Sequence, residues 1–351
     1  MIQSTKDGFA QQQGTSPGTD AHIATTGEKD VLVVQGLTVD LPQRDSMTRL
    51  VDDVSFRMHR TEKVALVGES GSGKSVTARA LMRLNPKLKL QGRVVIDGID
   101  VLALPERKLS SVRGRRVGMA FQDAFTSLDP IMPVGEQLME ALIVQGVRRA
   151  QARERAVNLL TELGVTNAEG RMKAYVHEFS GGMRQRVVLA MALICEPKLL
   201  IADEPTTALD VRIAQQVLDV LEDAAARREL AVLLITHDMG VVASFAERVL
   251  VMYSGRIVED ANAESLFERP LHPYTEGLLG AVPRVDHSVA RLVAVPGLPV
   301  PPSERPDGCA FHPRCAFATE VCRATVPPLR TFGLRRVACH HAEERGASNA
   351  V

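Results

Sequence analysis

Gly68-Glu-Ser-Gly-Ser-Gly-Lys74-Ser75 decides the reading of this chain through what stands on either side of it. The apolar run Val64 to Val67 leads into it, and a helically spaced segment, Ser75 to Asn85, leads away and stops before Pro86. It therefore fits the phosphate-loop pattern G-x-x-x-x-G-K-[ST] in the required setting, after a strand and before a helix. Small residues let the backbone N–H groups of Gly68, Glu69, Ser70, Gly71, Ser72 and Gly73 approach phosphate oxygens, and those of Lys74, Ser75 and Val76 open the helix. The Lys74 ammonium then reaches the β and γ oxygens, and the Ser75 hydroxyl ligates Mg2+.

Outward from the loop, strand-like runs cover Val31 to Val39, Val51 to Met58, Gly92 to Ile96 and Val117 to Phe121. Residues 124 to 195 change character. Val134 to Val147 and Ala150 to Leu163 are amphipathic helices, the second stopped by Gly164, so this stretch reads as an all-helical subdomain at about 124–190. Strands return at Leu199 to Ala202 and Ala231 to Thr236, around a helix whose Ile213, Val217, Val220, Leu221 and Ala224 share one face. Alternating strands and helices predict an α/β fold with a parallel, helix-covered sheet. A hairpin around Ser254-Gly255 closes a domain spanning 31–262. Beyond it, 263–341 is a proline-rich extension carrying cysteines, and the ends, 1–30 and 342–351, read as disordered tails.

Three further motifs carry chemistry. Leu199-Leu-Ile-Ala-Asp203-Glu204 is an apolar strand ending in two carboxylates, with Asp203 placed for the metal and Glu204 beside the attacking water. Phe179-Ser180-Gly181-Gly182-Met-Arg-Gln185 opens a helix as a second anion-binding N-terminus, which suggests that two chains share a nucleotide. Thr236-His237-Asp238 follows a buried strand, where an imidazole can hold the γ-phosphate.

The order of these landmarks, with Gln122 after the loop and Thr207-Ala-Leu-Asp210 after the carboxylates, resembles the ATP-binding cassette (ABC) ATPases over roughly residues 31–262. The resemblance implies a RecA-like P-loop NTPase fold that hydrolyses ATP with Mg2+. It implies that two cassettes close head to tail, with ATP between the phosphate loop of one and Ser180 to Gly182 of the other. Gln122 would contact metal and water, Glu204 polarise the water, His237 hold the γ-phosphate and Asp210 cross the interface. The family's adenine-stacking aromatic is missing before the loop, and Leu41 is the apolar residue expected in its place.

Phe121 to Pro130 with Gly135-Glu-Gln137, His272-Pro-Tyr-Thr275 with Leu278 to Pro283, and Gly308 to Cys315 resemble the oligopeptide, dipeptide and nickel importer ATPases. That narrower resemblance implies an ATPase docked peripherally on the cytoplasmic face of the cell membrane. Its partners would be two transmembrane permease subunits, a second ABC ATPase subunit, like or unlike, and an extracytoplasmic substrate-binding protein. The expected cargo is oligopeptide or dipeptide, with nickel, haem or glutathione, or a soluble non-transport ABC role, as alternatives.

Cys309, Cys315, Cys322 and Cys339, beside His312, His340 and His341, lack the tight pairs of a usual zinc site. Four thiolates without close pairs can wrap a [4Fe–4S] cluster, and the residues alone leave cluster, zinc and no metal open. The importer resemblance implies the cluster, expected as a staple for the extension and remote from the ATP chemistry. Cys195, in an apolar helix, is expected as buried packing.

Bulk composition agrees with these expectations. The 351 residues are 45% apolar and can bury a large core, while 42 basic and 42 acidic residues leave no global field for nucleic acid or an anionic membrane. No apolar run reaches the roughly 18 to 20 residues that cross a bilayer. The start of the chain shows no secretory signal, which points to a reducing cytoplasm where disulfides are rare.

Overall fold

The computed structural model describes residues 29–44, 46–207, 209–281 and 295–348. The tail expected over 1–30 lies outside them except for its last two residues, as do residues 349–351.

Two sheets build the cassette. The smaller is antiparallel: β1 (Asp30–Pro42) lies between β2 (Met47–His59) and β4 (Lys89–Ile96), and the short β5 (Ile99–Asp100) pairs with β4. The larger holds five parallel strands in the order β6 (Val117–Ala120), β7 (Leu199–Asp203), β8 (Ala231–Thr236), β3 (Lys63–Val67) and β9 (Arg248–Tyr253). β7 and β8 are buried at every residue, as strands covered on both faces must be.

The pleat sorts their side chains. Leu199 and Ile201 of β7, with Leu233 and Ile235 of β8, join Phe56, Leu66 and Val94 in a core toward the antiparallel sheet. Leu200, Ala202, Val232 and Leu234 face the opposite way, into a core shared with Leu138, Leu160, Val188 and Leu221. Each of these side chains larger than alanine contributes about 1.5–3 kcal/mol by leaving water.

Between β6 and β7 every regular element among the described residues is helical, the longest being Val134–Ile143, Arg149–Glu162 and Gly181–Leu193. This agrees with the expected helical stretch. The helix after the phosphate loop covers Lys74–Leu81 and ends short of the expected Asn85. Arg83 turns left-handed there, and the Arg83 and Leu84 N–H groups donate to Ala80 O and Arg79 O, closing the helix four residues early.

The extension departs most from expectation. β10 (Arg256–Asn262) pairs antiparallel with β9, and β12 (Arg335–Val337) adds to β10 through Glu259 with Val337 and Asp260 with Arg336. β11 (Arg330–Phe332) completes the edge, so the extension lengthens the main sheet to eight strands. Asp260 locks the junction: Arg248 donates to both its carboxylate oxygens at 2.6 and 3.0 Å, and Arg336 donates to Oδ2 at 2.6 and 3.0 Å. Ala342–Ser348 is a helix with Ala342 fully buried, which corrects the tail expected from residue 342.

Candidate nucleotide site and cysteine cavity

The phosphate loop turns tightly under β9. Gly68 has φ +152°, and a Cβ there would stand 2.2 Å from Met252 O, so only glycine fits. The loop is pinned from below by the Gly255 N–H, which donates to Ser72 O at 2.8 Å. Lys74 is buried and its Nζ donates to Gly68 O at 2.8 Å and Glu69 O at 2.9 Å. Burial lowers its pKa, against the charges of Glu204, Asp203 and Glu69.

Asp203 ends β7 fully buried and accepts from Ser75 Oγ at 2.9 Å through Oδ1. Its Oδ2 is buried with no hydrogen-bond partner, and Arg79 stands 3.9 Å from it. Burial pushes the Asp203 carboxyl up, opposed by Ser75 and Arg79. A buried hydroxyl–carboxylate pair with one unpartnered oxygen fits Mg2+, whose charge would reverse that shift.

Glu204 follows with φ 48°, a left-handed conformation that costs a non-glycine residue about 1–3 kcal/mol. Its N–H donates to Ile235 O at 2.9 Å, tying the strained turn to β8. The kink aims its carboxylate at three partners: Gln122 Nε2 and Thr207 Oγ1 donate to Oε2 at 3.0 and 2.9 Å, and His237 Nδ1 lies 3.2 Å from Oε1. Gln122, Glu204 and His237, distant in sequence, thus meet at one carboxylate, with the His237 side chain 61% exposed.

One cleft is lined by Ser70, Gly71, Gly73 to Val76, Gln122 and Glu204. Its apolar wall includes Leu50 and Pro302, not Leu41, which pairs with Thr48 in the β1–β2 ladder away from this lining. Sequence reading missed both: Leu50 precedes the β2 core run, and Pro302 looked like connector.

Ser180 to Gly182 and Asp210 do not line this cleft. Ser180 caps the helix Gly181–Leu193, accepting from Met183 N–H at 3.4 Å, and Asp210 caps Val211–Arg228, accepting from Ile213 N–H at 2.9 Å. The two caps are neighbours: a Cβ on Gly182 would stand 2.6 Å from Ile213 Cγ2.

Cys309, Cys315, Cys322 and Cys339, far apart in sequence, line a single small cavity with His312, His340 and His341. None of them is in a disulfide. Burial, then the neighbouring cysteine charges, push the Cys309 thiol up to about 11. Among the described residues no group of three or more His, Cys, Asp or Glu is arranged to hold a metal ion. Cys195 is half-buried rather than buried, and its sulfur accepts from Gln145 Nε2 at 2.8 Å.

Distant in sequence from the phosphate loop, the cysteine segment nevertheless reaches it in space. Arg314, immediately before Cys315, forms a two-pronged ion pair with Glu69 of the phosphate loop at 2.6 and 3.0 Å.

A protein built this way binds and hydrolyses a nucleoside triphosphate. The ABC transporter family model matches residues 51–207, and the model for the oligopeptide/dipeptide transporter C-terminal region matches 258–322. The oligopeptide transport ATP-binding protein OppD of Salmonella typhimurium is 47% identical over 309 residues, which is 88% of this chain and 92% of that protein. AppD of Bacillus subtilis, of the same description, is 46% identical over 86% of this chain and 93% of its own. Among solved structures, the ATP-binding cassette MJ0796, as a dimer bound to ADP and Pi, matches with TM-score 0.60 and 25% identity over 66% of this chain and 98% of that one. The chain belongs to the ABC transporter ATPases, in the group of oligopeptide transport ATP-binding proteins.

Proposed function

We propose that the chain couples ATP hydrolysis to import of oligopeptides or dipeptides, as one of two ATPase subunits docked on two membrane permease subunits at the cytoplasmic face, supplied by an extracytoplasmic binding protein. The observation that carries this reading is the match of residues 258–322 to the oligopeptide/dipeptide transporter C-terminal region, on a segment that grips the phosphate loop. No helix among the described residues is long and apolar enough to cross a membrane, so the membrane path belongs to other chains in this reading.

Within the site, Lys74 and the loop N–H groups other than those of Glu69 and Ser72, which donate to the Tyr274 hydroxyl and to Glu69 O, would bind the phosphates, and Ser75, Asp203 and Gln122 would hold Mg2+. When bound, Mg2+ neutralises charge on the β and γ oxygens. Glu204, oriented by Gln122 and Thr207, accepts a proton from water, and His237 steadies the γ-phosphate and the Glu204 carboxylate. Ser180 to Gly182 and Asp210 stand together outside their own chain's cleft, which supports their serving the nucleotide of a second subunit.

The four cysteines would hold a [4Fe–4S] cluster. Supporting this is their convergence on one small cavity. The cluster would staple segments that have little core of their own.

Transport of labelled oligopeptide by the reconstituted complex, dependent on ATP, tests the cargo. Stimulation of ATPase by nickel, haem or glutathione with none by peptide would reject it. Anaerobically purified protein should carry about four iron and four sulfide per chain, the content of one cluster; zinc alone would reject the cluster.

A further inference from the structure

In the phosphate loop, the side chain, N–H and carbonyl of Glu69 are each held by a different group. Arg314 binds the carboxylate with both terminal nitrogens, at 2.6 and 3.0 Å. The Glu69 N–H donates to the Tyr274 hydroxyl at 2.7 Å. The Glu69 carbonyl accepts from Lys74 Nζ at 2.9 Å. Two of these three holds come from the C-terminal extension, across 245 and 205 residues of chain.

Neither hold is a chance surface contact. The Arg314 side chain is 4% exposed, and its Nε donates to Pro296 O at 2.7 Å. Its guanidinium lies 5.8 and 5.9 Å from the ring centres of Tyr253 and Phe311. Tyr274 is fully buried, its ring 4.6 Å from that of Tyr253 and 5.4 Å from that of Phe311. A planar guanidinium fixed on four sides presents its fork in one orientation, which a flexible surface ion pair cannot do. Packing of the cysteine segment thus fixes where Arg314 stands, and Arg314 fixes Glu69.

We propose that Arg314, with Tyr274, is a positioning residue for ATP binding: the extension holds Glu69 so that the phosphate loop and Lys74 are pre-set for the phosphates. The chain's nucleotide affinity is therefore set in part by the packing of its cysteine segment, whatever cargo the transporter moves. Preorganisation of this kind acts on binding, because a loop already in place loses less freedom when ligand arrives. Among the described residues Glu204, Gln122 and His237 make no hydrogen bond to Arg314, Tyr274 or Glu69, so the chemical step is left alone.

The test measures steady-state ATPase and equilibrium binding of Mg-ATP with the full chain in its complex. Arg314→Ala should raise KM and Kd for ATP about tenfold, within the usual range of coupling between sites, and leave kcat at saturating ATP close to wild type, and Glu69→Ala should raise Kd by a similar factor. The double variant should be no worse than either single one, because both remove the same pair. Tyr274→Phe, which deletes one oxygen and keeps the ring packing, should shift KM in the same direction, and Arg314→Lys should recover part of the loss. A merely structural Arg314 gives another pattern: fewer active molecules, lower kcat and unchanged KM. That pattern, additive effects in the double variant, or unchanged Kd in Tyr274→Phe together with Glu69→Ala, would overturn the proposal. Should Arg314→Ala fail to accumulate, Arg314→Lys and Glu69→Gln read the same quantity.

Discussion

Replacing Glu204 by Gln separates chemistry from scaffold more cleanly than any other change in the site. The amide retains one oxygen for Gln122 Nε2 and Thr207 Oγ1, which now converge on Oε2 at 3.0 and 2.9 Å. Its NH2 takes the place of Oε1 and donates to His237 Nδ1, 3.2 Å away. The side-chain hydrogen bonds are therefore conserved in number, and since each is worth about 1 kcal/mol, global stability should move by less than that. What disappears is a proton acceptor beside the attacking water, a loss of about 10²–10⁴ in kcat, or about 2.7–5.5 kcal/mol of barrier. One negative charge also leaves a pocket that receives a polyanion, so ATP should bind as tightly as before or tighter. Phosphate release by the assembled transporter, alongside Kd for Mg-ATP, reads both quantities. Turnover within about threefold of wild type would refute Glu204 as the base, and a tenfold weaker Kd with lower kcat would show it to be chiefly scaffold.

Three other outcomes follow from the geometry. Gly68→Ala puts a Cβ 2.2 Å from Met252 O, and the forced shift should cost about 3 kcal/mol and abolish ATP binding, read by thermal denaturation and ligand titration. Asp203→Asn keeps an oxygen for Ser75 Oγ but removes the charge, so half-saturating Mg2+ for ATPase should rise at least about tenfold. Asp260→Asn strips two arginines of their shared buried carboxylate and should cost about 3 kcal/mol in denaturant titration. Burial pushes the Asp260 carboxyl up, but Arg248 and Arg336 outweigh it and hold the pKa below the usual value. A depressed carboxylate stabilises the fold above its unfolded pKa and loses that contribution as pH falls through the folded one. The gap between wild type and variant should therefore narrow below about pH 4.

The nucleotide site was legible because its parts are local. A strand, a glycine turn and a helix N-terminus must be adjacent in sequence to make a phosphate loop, and the two carboxylates sit together at the end of an apolar strand. Gln122, Glu204 and His237 were each placed at a strand end, and the parallel sheet aligns those ends. What escaped was non-local or small. β11 and β12 are three residues each, too short to show the alternation that marks a strand, so pairing alone defines them, β12 against β10 and β11 against β12. Arg314 lay inside a run read for its cysteines, with nothing to show that its partner stood in the phosphate loop. The early end of the Lys74–Leu81 helix depends on a left-handed arginine, which apolar periodicity does not register.

β10 offers one edge to β9 and the other to β12. A chain ending at Asn262 would keep every catalytic motif yet leave the outer edge of β10 as a row of unpaired backbone groups, a template for another chain's strand. It would also leave the Asp260 carboxylate without Arg336, one of its two arginines. In this chain the cassette is thus not a module that an appendage can be trimmed from: the extension is the sheet's selvedge, and truncation at Asn262 should lower solubility.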